Sequence, residues 1–358
     1  MRQTLVSLII ITLISCNASP KSLSIEEKAA KLLIVGVIGN ELTEGNPVIR
    51  DVKERGVSGV ILFENNIAAE QSREKMQSFI AQMQALSPTP LFVAIDQEGG
   101  KVNRMKSKYG FEEMPSQAEV GASEGVEYAL QTAQTIASEV ASVGINLNFS
   151  PVLDLNINKT SPAIGAIGRS FSEDEMRVSE LAKVYIEEHH KRNVATSLKH
   201  FPGHGSAKAD SHLGLTDITN TWQRRELTPY RELIKEELCD MIMVSHLFNT
   251  SIDPDYPATL SRPTIEGLLR GELGWDGVVV SDDMQMRAIT DNYGFEEAIS
   301  LAINAGVDLF IISRRDNNSD VAGAFIEAVT NAVKAGIITE EQLDSSIKRI
   351  EALRKKWL

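Results

Sequence analysis

Short, continuously apolar runs alternate along this chain with longer stretches whose apolar residues recur at helical spacing. The runs Leu33 to Ile38, Gly59 to Phe63, Leu91 to Ile95, Ile145 to Phe149, Ala195 to Leu198, Met241 to Ser245, Gly277 to Ser281 and Asp308 to Ser313 are the predicted strands. Segments such as Val278-Val279-Val280 and Phe310-Ile311-Ile312 show no period of two, the pattern of strands buried on both faces of a parallel sheet. Between the runs, Ala69 to Leu86, Val126 to Val143, Asp174 to Arg192 and Phe295 to Ala305 carry helical periodicity, as in Ala129, Ala133, Ile136 and Val140. Ser24 and Glu27 have capping-box spacing and mark the start of the folded body. Eight strand–helix repeats with no Gly/Pro/Ser-rich divider predict an α/β fold, a single-domain (β/α)8 TIM barrel over residues 24–358. An open doubly wound sheet is the alternative.

The first residues do not belong to that pattern. Arg2, the apolar run Leu5 to Ile14 and then Ser15-Cys16 read as a signal peptide of lipoprotein type over residues 1–15, with lipid attachment at Cys16 and a polar tether over 16–23. The run is well short of the roughly 20 apolar residues that span a bilayer. The expected location is therefore outside the cytoplasm, lipid-anchored to a bacterial membrane and facing the periplasm or the cell exterior. Cys239 is the other cysteine, so no disulfide forms without the anchor residue, and its apolar surroundings suggest buried packing. With 358 residues, 42% hydrophobic and 24% charged, the composition is that of a globular protein, and a net charge of −13 argues against nucleic acid as a partner. A monomer is expected.

Barrel active sites sit at the C-terminal ends of the strands, and the polar residues of the runs fall there. Asp96 follows the third run, Asn148 and Asp154 the fourth, Lys199 and His200 the fifth, His246 the sixth, Asp282 and Asp283 the seventh, and Arg314 and Arg315 the eighth. The densest group is KHFPGHG over 199–205, followed by Asp210, Ser211 and His212. An Asp two residues before a His can accept its Nδ1–H, fix its tautomer and favour imidazolium, which suits a proton donor near neutral pH. A metal site built from His200, His204, Asp210 and His212 competes with that reading. It lacks a helical His-Glu-x-x-His and paired cysteines, and Lys199 opposes a cation, so neither metal nor cofactor is expected.

Asp282 and Asp283 leave a wholly apolar run, and a carboxylate there needs cations or donors to stay ionised. Lys199, Arg104 and Arg169 are the expected suppliers, and one of the two aspartates is expected to cap the next helix. In the stretch from Asp96 to Arg104, Gly99 and Gly100 permit close approach, while Asp96 and Arg104 can grip vicinal hydroxyls. That stretch lacks the Gly-Lys-Ser/Thr end of a phosphate-binding loop.

AIDQEGGKVNR at 94–104, KHFPGHG at 199–205, DSH at 210–212 and VSDDM at 280–284 together resemble glycoside hydrolase family 3, in its single-domain β-N-acetylglucosaminidase branch. The resemblance implies a retaining, exo-acting hydrolase of terminal non-reducing β-linked N-acetylhexosamine, taken from peptidoglycan fragments or chitooligosaccharides. It implies Asp282 as nucleophile, His212 as acid/base and Asp210 as its partner. Asp96, Arg104, Lys199, His200 and Arg169, the last within GRSF at 168–171, match positions that hold the sugar. The Asp-x-His pair sets this branch apart from the family's β-glucosidases, which take a carboxylate acid/base from a second domain that is not expected here. Lys101 and Ser206 depart from the family's usual Arg and acidic residue. A β-glucosidase or a glycosyl phosphorylase of the same family, and a sugar-binding lipoprotein without activity, are the other readings.

Overall fold

The computed structural model describes residues 22–358, so the expected signal peptide and Cys16 lie outside the described residues. Eight parallel strands form the barrel: β1 (Leu33–Gly36), β2 (Gly59–Leu62), β3 (Phe92–Ile95), β4 (Leu147–Asn148), β5 (Ala195–Phe201), β6 (Met241–Val244), β7 (Val278–Ser281) and β8 (Phe310–Ile312). They pair in chain order from β1 to β7, and β8 returns to pair with β1, Ile34 lying opposite Ile311. Between β7 and β8 a bridge from Val280 to Leu309, with Ser281 N–H donating to Leu309 O at 2.9 Å, nearly completes the ring. The barrel prediction is therefore met and the open sheet is excluded. Leu33, Ile34, Val35, Val279, Val280 and Phe310 are all fully buried, which is why their runs lack a polar face.

Helices cross over between successive strands. They include α1 (Ile25–Ala30) before β1, α2 (Ser72–Leu86), α3 (Glu127–Ser142), α4 (Glu175–His190), α5 (Thr228–Lys235), α6 (Pro263–Glu272), α7 (Phe295–Ala305), and α8 (Val321–Lys334) and α9 (Glu340–Trp357) after β8. Ser24 Oγ accepts the Glu27 amide at 3.2 Å, and Glu27 returns a bond to the Ser24 amide at 2.7 Å, the reciprocal cap that the spacing predicts. Ala129, Ala133, Ile136 and Val140 bury the inner face of α3, and truncating Ile136 to Ala should cost about 2–5 kcal/mol. Cys239 is buried and free, and burial pushes its thiol pKa up, which keeps it unreactive. Among the described residues no helix is long and apolar enough to cross a membrane.

One boundary differs in a way that matters for the site. β5 continues three residues beyond Leu198, to Phe201, because the ladder shifts register after Leu198 and then pairs again. Lys199 O accepts the Leu153 amide at 2.7 Å and Phe201 O accepts the Ser245 amide at 2.9 Å. Lys199 and His200 therefore sit on the strand itself rather than on the loop after it, and the sheet sets their positions.

Candidate active site

The mouth of the barrel is organised around two carboxylates of the segment after β3. Gln97–Gly99 and Val102–Asn103 form a small antiparallel hairpin, whose Gln97 Oε1 accepts the amides of Arg104 and Met105 at 3.0 Å each. At Gly99, with φ +97°, a Cβ would lie 2.3 Å from Pro115 O, so only glycine lets the hairpin fold back this tightly. The Lys199 ammonium then sits 2.7 Å from Asp96 Oδ1 and 2.6 Å from Glu98 Oε1. Arg169 grips Glu98 with two bonds, Nε to Oε2 at 2.8 Å and Nη2 to Oε1 at 2.7 Å, while Arg104 approaches Asp96 Oδ2 at 3.4 Å. Burial would raise the Glu98 pKa, yet Arg169 and Lys199 outweigh it and bring it down to about 2. Asp96 falls below its ordinary value for the same reason, with Lys199 and Arg104 opposing its burial.

That arrangement corrects one expectation. Lys199, Arg104 and Arg169 do not pair with Asp282; Asp96 and Glu98 lie nearer and take all three.

His200 is held from both sides. Its Nδ1 lies 2.6 Å from Asp154 Oδ2, and Arg169 Nη2 lies 3.2 Å from its Nε2. A guanidinium has only donors, so Nε2 accepts and Nδ1 carries the hydrogen toward Asp154. Asp154, itself buried, also accepts the backbone amides of His200 at 3.2 Å and His204 at 2.7 Å. Burial would raise its pKa, but the hydrogen bonds from the His200 ring and the His204 amide help hold it below the ordinary carboxylate value.

Asp282 follows β7 and faces imidazoles rather than the expected cations. Its amide donates to Val244 O at 3.0 Å, and its Oδ1 accepts the Asp283 amide at 2.8 Å. Burial opposes ionisation, yet the neighbouring His246, His200 and His212 lower its pKa, so the carboxylate is charged at neutral pH. His246 is buried on the next strand end, its Nδ1 2.8 Å from Thr259 Oγ1 and its Nε2 3.1 Å from Asp283 O. Asp283 does not cap a helix as expected. Its Oδ1 accepts the amides of Gln285 and Ser313, both at 3.0 Å, and so ties the exits of β7 and β8 together.

His212 lies in a turn over the mouth. Leu213 N–H donates to Asp210 O at 3.0 Å, closing a four-residue turn, and Asp210 Oδ1 accepts both the His212 amide at 2.9 Å and its Nδ1 at 2.7 Å. The spacing of two is thus what an Asx-turn requires, and one carboxylate oxygen sets both backbone and ring. Burial acts to raise the Asp210 pKa, but the His212 amide and ring bring it below the ordinary value. The His212 side chain is 60% exposed, its Nε2 edge facing outward from the Asp210 bond.

Residues 24–353 match the family model described as the glycosyl hydrolase family 3 N terminal domain. The chain belongs to glycosyl hydrolase family 3. Among its relatives, a β-hexosaminidase from Tolumonas auensis is 35% identical over 77% of this chain and 80% of its own length, and β-hexosaminidase A from Pseudoalteromonas piscicida is 33% identical over 84% of this chain. A solved family 3 β-N-acetylglucosaminidase from a Paenibacillus species superposes with TM-score 0.86 at 36% identity over 94% of this chain. A β-N-acetylhexosaminidase from Beutenbergia cavernae superposes with TM-score 0.84 at 27% identity, covering 93% of this chain and 99% of its own. The chain spans 53% of the Pseudoalteromonas protein and 63% of the Paenibacillus chain, so both are longer proteins.

For a family 3 glycoside hydrolase, the sequence reading missed four contributors. Glu98 is one of them: it pairs with Lys199 and Arg169, and the signal for it in the sequence is a second acid two residues after Asp96, beside Gly99-Gly100. In the sequence Asp154 and His246 are strand-end polar residues to which the motifs give no task, and His204 enters only as a candidate metal ligand. Arg314, expected near the site, instead pairs with buried Asp51, while Arg315 reaches Gln285 O at 3.4 Å. Among the described residues no group of three or more His, Cys, Asp or Glu side chains converges as metal ligands would. Both ring nitrogens of His200 are already spent on Asp154 and Arg169. The arrangement supplies the glycoside hydrolase with an ionised carboxylate at Asp282, a carboxylate-held imidazole at His212 near the same barrel mouth, and a fixed array of paired charges at Asp96, Glu98, Lys199 and Arg169.

Proposed function

We propose that this glycoside hydrolase is a retaining, exo-acting β-N-acetylglucosaminidase acting on terminal non-reducing β-linked N-acetylhexosamine of peptidoglycan fragments or chitooligosaccharides. The observation that carries the reading is the Asp210–His212 turn at the same barrel mouth as ionised Asp282. The relatives named β-hexosaminidase and β-N-acetylglucosaminidase support the sugar. In this reading an Asp282 oxygen attacks the anomeric carbon while His212 Nε2–H protonates the departing glycosidic oxygen, giving a glycosyl-enzyme and a free alcohol. His212, now neutral, takes a proton from water, whose oxygen attacks the anomeric carbon and releases Asp282. Asp210 stabilises the imidazolium each time it forms. Asp96, Lys199, Arg104, Arg169 and His200 bind or position the sugar hydroxyls.

The test uses aryl β-N-acetylglucosaminide and aryl β-glucoside, each with and without inorganic phosphate. The reading expects release from the first and a sugar product that stays unphosphorylated. Preference for the glucoside, or formation of a sugar 1-phosphate, would replace it with a β-glucosidase or a phosphorylase. Release from neither would leave a sugar-binding protein.

The signal-like start supports lipid anchoring at Cys16 and placement on a membrane facing the periplasm or the exterior. Incorporation of labelled fatty acid by the wild type and its loss in Cys16→Ala checks that part. Size-exclusion chromatography with light scattering checks the expected monomer.

A further inference from the structure

The segment between Ala207 and Thr216 carries the acid/base turn but has few moorings. Ala207 O accepts Asn158 Nδ2 at 2.8 Å at one end, and Thr216–Asp217 pairs with Leu247–Phe248 at the other. In between, Lys208, Ala209, His212, Leu213 and Leu215 are exposed, and Gly214, with φ +150°, would meet nothing if it bore a Cβ. The backbone bonds of this stretch are internal to the turn and position it against nothing else.

Ser211 is the exception. It stands between Asp210 and His212, is buried, and has its Oγ 3.2 Å from Nε2 of His204. His204 is 3% exposed, and burial pushes its pKa down to about 4, so the ring is neutral at working pH. Its Nδ1 has no partner among the described residues, and an unpaired acceptor costs less than an unpaired N–H. Nε2 therefore carries the hydrogen and donates it to Ser211 Oγ. The His204 amide is fixed in turn by Asp154 Oδ1 at 2.7 Å, on the same carboxylate that holds His200.

We propose that the His204–Ser211 hydrogen bond is the clasp that holds the acid/base turn over the site, which makes Ser211 and His204 positioning residues for His212. One carboxylate, Asp154, then sets both the ring that supports the sugar-binding arginine and, through His204, the height of the proton donor. Cutting the clasp leaves the Asp210–His212 pair intact, because that pair is closed within its own turn, but releases its position relative to Asp282.

This inference rests on His212 being the acid/base. A positioning loss has a signature that a general structural loss lacks, namely dependence on the leaving group. For Ser211→Ala, kcat/KM on an N-acetylglucosaminide with a poor alcohol leaving group should fall about ten- to hundredfold, while a dinitrophenyl glycoside should change less than about threefold. Ser211→Thr, which keeps the hydroxyl, should recover most of the loss, and His204→Leu should reproduce it. His212→Ala is the control. If it shows the leaving-group dependence and Ser211→Ala shows equal losses on both substrates, or none on either, the clasp is wrong and the acid/base reading stands. If His212→Ala itself shows no dependence, the reading beneath the clasp fails.

Discussion

The two ends of the barrel each hold an aspartate, fully buried at one end and half-buried at the other, and the two are treated in opposite ways. At the N-terminal end, Asp308 precedes β8 and both its oxygens are saturated. Oδ2 accepts Arg270 Nη2 at 2.8 Å and the Val279 amide at 2.9 Å, and Oδ1 accepts Ser346 Oγ at 2.9 Å and Arg349 Nη1 at 3.2 Å. At the C-terminal end, Asp282 accepts one amide and is otherwise surrounded by imidazoles, without an arginine or lysine in contact among the described residues. A saturated carboxylate cements; one that keeps an uncommitted oxygen can form a bond to something else. The cations that could have saturated Asp282 are drawn off by Asp96 and Glu98.

The largest expected effect follows from that contrast. Asp282→Asn should lower kcat by about a thousandfold or more with little change in melting temperature, because it removes the proposed nucleophile and leaves few protein bonds unmade. Asp308→Ala should do the reverse. It strands two arginines and should cost about 3–5 kcal/mol of stability by denaturant titration, with activity per folded molecule unchanged. Equal stability losses in the two variants would dissolve the comparison.

Asp210→Asn comes next. The turn can persist, since an amide oxygen also accepts the two N–H groups, but the negative charge facing the His212 ring is gone. Activity at neutral pH should drop about ten- to a hundredfold, more steeply for poor leaving groups.

Glu226 sharpens the comparison from a third direction, as a buried carboxylate that pairs with no cation among the described residues. It sits beneath Gly203 of the histidine loop, and burial raises its pKa to about 7. Between the unfolded value of about 4.5 and that value, the native state binds the extra proton, so stability falls as pH rises through this window. Glu226→Gln should remove that slope, and its melting temperature should gain on the wild type from pH 4.5 to 7 and run parallel above. A gap that instead widened toward acid would overturn the assignment. The smallest effect is expected at exposed Leu213, where Ser should change stability by less than about 0.5 kcal/mol.

What could be read in the sequence was whatever local pattern decides. Eight apolar runs marked eight strands, and the Asp210–His212 spacing announced its own turn, because both are settled within a few residues. Partnerships across strands were not readable. Lys199 was expected to serve Asp282, but which carboxylate it meets depends on how the hairpin after β3 folds back, and that is decided by Gly99 against Pro115. Arg314 shared the strand-end position of true site residues and was claimed by Asp51 in a neighbouring connection. His204 and Ser211 are seven residues apart, yet the bond between them needs the β5 extension that the apolar pattern ended too early.

The two moorings of the segment that carries His212, Ala207 on one side and the Thr216–Asp217 pairing on the other, work as a ruler for the proposed proton donor. Loop-closure entropy grows slowly with length, so doubling the segment by insertion at Lys208–Ala209 should cost the fold only about 0.6 kcal/mol. The same insertion spreads His212 through a larger volume above Asp282 and lowers its effective molarity there, the quantity that an oriented catalytic group supplies. Loop length between these moorings is therefore a dial that tunes rate while leaving stability nearly untouched.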